Sequence, residues 1–102
     1  MDLTVPILNQ IVEIFQQFGP ARATPVEARW QAAFPEATTD ELCQWRAFCE
    51  EVEAYSLELA TQVNAKRLDR MTAQHELAKR YPDLTPRRVG DTLNQALYYA
   101  VH

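Results

Sequence analysis

The chain has two glycines in 102 residues, Gly19 and Gly90, and so cannot build a phosphate loop. Both G-x-x-x-x-G-K and G-x-G-x-x-G place their glycines close together, and neither pattern occurs. Cysteine is equally scarce. Cys43 and Cys49 fall in one helical stretch, ~9 Å apart along its axis, which is beyond the reach of a disulfide. They are expected as small buried or half-buried side chains. Histidine is limited to His75 and His102, and neither has a Cys, Asp or Glu at metal-ligand spacing. H-E-x-x-H is missing, and so is the E-x-x-H of di-iron bundles. No apolar run approaches the roughly 20 residues that cross a bilayer. The start, MDLTVPILNQ, carries Asp2 where a signal peptide needs basic residues. These absences lead to an expectation of a cytoplasmic, non-enzymatic chain with no cofactor, no metal and no membrane partner.

What is present is helical period. From Thr38 to Asn64 there is neither Gly nor Pro. Leu42, Trp45, Cys49, Val52, Ser56, Leu59 and Val63 recur at alternating spacings of three and four, the seam of one long helix. Phe48 and Tyr55 widen that seam beyond a coiled-coil stripe. Thr38 and Glu41 form a capping box at its start, and Asn64 is a candidate cap at its end, with continuation through Lys66-Arg67 the alternative.

Four shorter helices are expected around this one. The first spans about 4–18, with Pro6 in its first turn and an apolar stripe of Ile7, Leu8, Ile11, Val12, Phe15 and Phe18. Gly19-Pro20 stops it. The second begins at Thr24-Pro25-Val26-Glu27, read as a capping box, and turns Val26, Trp30, Ala33 and Phe34 inward before Pro35. Thr72 is expected to cap a fourth helix over 73–81, after a basic turn at 66–71. Thr85-Pro86 starts the fifth, with Leu84 and Val89 at staple positions. Its buried stripe is read as Val89, Leu93, Ala96, Leu97, Ala100 and Val101. Gly90 inside it costs ~1 kcal/mol against Ala, and close approach of another backbone is one reason to keep it. The expected fold is all-α: one domain over 1–102, about five helices around a long central helix, with a helix-turn-helix-like segment over 72–101.

Net charge is −4 and unevenly spread. Residues 1–65 hold three basic and ten acidic side chains, whereas residues 66–102 hold seven basic and four acidic. That asymmetry hints at a charged partner. Two surfaces are candidates for binding another protein. One is an acidic band, Glu50, Glu51, Glu53 and Glu58, with no Lys or Arg one turn on to offset it. The other is the start of the fifth helix, Arg87 and Arg88, with Tyr98 further along at a rim. Charges of this kind steer association. The function expected is a regulator, adaptor or inhibitor, and a homodimer is plausible.

The alternative partner is DNA. Arg87 and Arg88 sit where the helix dipole disfavours cations, and phosphate or guanine contact would give a reason. Asn94 and Gln95 follow on that helix, and Lys79 and Arg80 would flank the backbone. The segment Pro82-Asp83-Leu84-Thr85, with Val89, Leu93 and Ala96 beyond it, resembles the C-terminal helix-turn-helix of small bacterial antitoxin-like domains. Thr92 stands where that pattern prefers Ala. Asp91, one turn after Arg87, and the acidic balance of the whole chain oppose a DNA surface.

Overall fold

A computed structural model describes residues 1–17 and 23–101. It is all-helical, with five helices and no strand among the described residues: α1 (Val5–Phe15), α2 (Val26–Ala33), α3 (Thr39–Asn64), α4 (Arg70–Arg80) and α5 (Pro86–Val101). The chain divides into two compact units, Met1–Glu50 and Glu51–His102, and α3 contributes to both. No described helix is long and apolar enough to cross a membrane.

In the first unit, Thr4 caps α1, its hydroxyl accepting from the Ile7 N–H, and a proline is tolerated in the first turn because that N–H has no helical partner. The helix ends at Phe15 with Gln16 as cap, sooner than the stripe suggested. The expected stop at Gly19-Pro20, and Phe18 with it, lies outside the described residues. Ile11, Val12 and Ile14 are buried, so the stripe is broader on the Ile14 side than expected.

Helix α2 lacks the expected capping box. Pro25 is the N-cap and no side chain bonds there. Glu27 is drawn away by Arg46, whose Nε donates to its carboxylate, and the Thr24 carbonyl accepts instead from Arg29. Trp30 is fully buried and ties three helices. Its Nε1 donates to the Ile11 carbonyl at 3.0 Å, its ring stacks on Phe15, and it meets Trp45 edge-on at 5.8 Å. Phe34 adds a second edge contact to Trp45, while Ala33 is exposed rather than inward. Arg29 donates to the Ile14 carbonyl, covering an open end of α1.

The start of α3 agrees with its sequence. The Thr38 N–H donates to Glu41 at 2.9 Å and the Glu41 N–H donates to the Thr38 hydroxyl at 3.2 Å. Its seam is buried at Leu42, Trp45, Cys49, Val52, Ser56 and Leu59, and Ala60, absent from the seam as read, is fully buried too. Cys43, expected at least half-buried, is exposed; both cysteines are free.

In the second unit, α3 closes with two interlocked bonds, Arg67 N–H to Gln62 O at 2.9 Å and Lys66 N–H to Val63 O at 3.0 Å. This is a Schellman end, and its left-handed residue is Lys66 at φ 60° rather than Asn64. Helix α4 starts a turn earlier than expected because Asp69, not Thr72, is the cap: the Asp69 carboxylate accepts from both the N–H and the hydroxyl of Thr72. Arg70 and Met71 are therefore helical. Leu77 and Ala73 are buried, and α4 and α5 pack together. The chain turns through Tyr81–Thr85, and Thr85 caps α5 by accepting from the Arg88 N–H. Leu84 and Val89 are both buried, as a staple requires. Thr92, Leu93 and Ala96 complete the buried face of α5. Ala100 and Val101 are exposed, so the apolar stripe leaves the core before the helix ends. The backbone approach expected at Gly90 is missing: a Cβ there would meet nothing within 4 Å.

Candidate interaction surface

The candidate side chains belong mostly to residues 51–102, where α3, α4 and α5 place them. Glu51 is not an unopposed member of an acidic band. Arg80 lies 3.7 Å from its carboxylate, and the Tyr81 hydroxyl donates to it at 3.0 Å. The Arg80 guanidinium also lies 4.4 Å over the Tyr55 ring, and Tyr55 meets Tyr81 edge-on. This cluster joins the α4 C-terminus to α3, a contact the sequence did not assign to the fourth helix. Burial, with the bond to Glu51, pushes the Tyr81 hydroxyl above its ordinary value of 10.0. Glu53 and Glu58 are exposed in the same unit, and Glu50 is exposed at the end of the first. All three remain open to solvent on the outer side of α3.

The N-terminal turn of α5 is partly neutralised. Arg87 and Arg88 each reach Asp91 at 3.8 Å. Their settings differ: the Arg87 side chain is 86% exposed and that of Arg88 only 11%. Asn94 is exposed, Gln95 half-buried, and Lys79 exposed on α4. Of the cations a DNA surface would use, Arg80 is held by Glu51 and two tyrosine rings, and Arg88 is largely covered.

The far end of α5 is apolar and open. Tyr98 is 55% and Val101 63% exposed, and Tyr99 is exposed as well. The two tyrosine rings meet edge-on at 5.7 Å. Reading the stripe as core hid Val101 and Ala100 from this surface. The signal that points to it is the consecutive tyrosine pair, since neighbours on a helix diverge by about 100° and cannot share one core. Met71, 70% exposed in the first turn of α4, was likewise unassigned.

Among the described residues no group of three His, Cys, Asp or Glu side chains is placed to hold a metal. Every buried side-chain nitrogen or oxygen among them has a partner. The carboxyls held below their ordinary values serve structure: Glu27 through Arg46, Glu41 through the Thr38 N–H, and Asp69 through the Thr72 N–H. Comparison with protein-family models, curated proteins and solved structures finds no match to this chain.

Proposed function

We propose that this chain is a non-enzymatic helical interaction protein, a regulator, adaptor or inhibitor that binds another protein through residues 51–102. The observation that carries the reading is the apolar end of α5, where Tyr98 and Val101 are more than half exposed and Tyr99 partly so. Tyrosines placed so gain from desolvation at low entropic cost and are enriched at contact surfaces. Glu53 and Glu58 on α3, with Arg87 on α5, would steer the encounter.

The test is capture of a partner by purified chain, repeated with Tyr98→Glu and with Arg87→Glu. A partner retained by wild type should be lost with Tyr98→Glu, at unchanged helicity, and slowed in its association with Arg87→Glu. A partner indifferent to both would sink the reading. Sedimentation over a concentration range tests a second copy of the chain as that partner.

DNA is the second reading, favoured by the helix-turn-helix outline of α4 and α5 and by the exposure of Arg87. It predicts salt-sensitive binding to generic duplex. A Kd weaker than about 100 μM at physiological salt removes it.

A further inference from the structure

We infer that the corner between α3 and α4 is an anion site suited to a phosphomonoester dianion. Val63, Lys66, Arg67, Leu68, Asp69 and Arg70 line an open depression of about 420 Å³ there. Elsewhere among the described residues the arginines have partners: Arg29 the Ile14 carbonyl, Arg46 Glu27, Arg80 Glu51, and Arg87 and Arg88 Asp91. Among the described residues the Lys66, Arg67 and Arg70 side chains have none. Asp69 is already committed to Thr72 and caps α4, so the helix end is closed and the anion would meet side chains.

Charge selects the ligand. Three cations and one carboxylate leave an excess of two positive charges at the rim. A phosphomonoester carries about −1.5 to −2 near neutral pH, whereas a carboxylate carries a single negative charge. Arg67 and Arg70 offer planar forks that match phosphate oxygens. Complementing the carbonyl end of α3 would account for Lys66 and Arg67, but not for Arg70, which opens α4 where the dipole disfavours a cation. Lys66 occupies a left-handed position whose ordinary occupant is glycine, and in doing so keeps a cation at this corner. The phosphomonoester has two sources, a small metabolite or a phosphorylated side chain on another protein.

The inference is independent of the α5 reading, and Tyr98→Glu should leave it unchanged. It is tested by amide NMR of the full chain titrated with inorganic phosphate at constant ionic strength, with acetate as control. Expected are saturating shifts at residues 66–70 with a Kd of about a few millimolar, roughly threefold weaker for each of Arg67→Gln and Arg70→Gln. Lys66→Gly should weaken phosphate binding while raising thermal stability, which separates lost binding from lost fold. A phosphoserine peptide binding more tightly than free phosphoserine assigns the source to a protein; equal binding assigns it to a small molecule. Non-saturating shifts, shifts matched by acetate, or a Lys66→Gly/Arg67→Gln/Arg70→Gln variant that titrates like wild type would overturn the inference.

Discussion

Gly90 and Trp30 mark the two extremes of what one side chain does in this molecule. Gly90 sits in the interior of α5 with open space where a Cβ would go. Gly90→Ala should therefore stabilise the chain by roughly 0.5–1 kcal/mol, read as a higher urea midpoint with unchanged slope. Trp30 has no exposed surface and one buried hydrogen bond. Trp30→Ala should cost roughly 3–5 kcal/mol in the same measurement. Trp30 was legible as a core anchor because a large aromatic at helical spacing has few other uses. The caps were only half legible. Thr24-x-x-Glu27 and Thr38-x-x-Glu41 are the same pattern, yet only the second closes into a box. The difference is Arg46, nineteen residues from Glu27 in sequence, which competes for that carboxylate.

Helix boundaries follow the same logic. Asp69 and Thr72 can each cap a helix, and local pattern does not rank them; bonding to both groups of Thr72 gives Asp69 the position. The caps also contribute to stability toward acid. Glu41 and Asp69 are held below their ordinary values of 4.5 and 3.8. Each contributes stability that is present above its unfolded pKa and lost as pH falls through the folded one. Helical signal followed from neutral pH downward should fall below about pH 4, and Asp69→Asn with Glu41→Gln should flatten that fall. Tyr81 works in the opposite sense. Its raised pKa gives stability that is full below pH 10 and lost as pH climbs through the folded value, so Tyr81→Phe should remove that alkaline loss.

At the scale of the molecule, the all-helical class was legible because a period of 3.6 runs through nearly every segment. The division into two compact units was not. Helix α3 runs through Glu50 and Glu51 without a proline, a glycine or a change of period in its seam, so nothing local marks the boundary. The exposure of Glu50, Glu53, Glu58 and Arg87 was legible in the sequence, and that of Ala100 and Val101 was not, because α5 keeps its stripe after leaving the core. If Glu53 and Glu58 steer a partner, the Glu53→Lys/Glu58→Lys variant should change the association rate and leave dissociation nearly constant. Stopped-flow traces at two salt concentrations would separate those terms.

The boundary at Glu50 also sorts the chromophores. Both tryptophans, Trp30 and Trp45, precede it, and all four tyrosines, Tyr55, Tyr81, Tyr98 and Tyr99, follow it. Indole emission, excited selectively, therefore originates in residues 1–50, and every phenol chromophore lies in residues 51–102. Each unit carries its own native optical label. Unfolding seen in the two colours would reveal, without any engineered dye, whether they lose structure in one step or two.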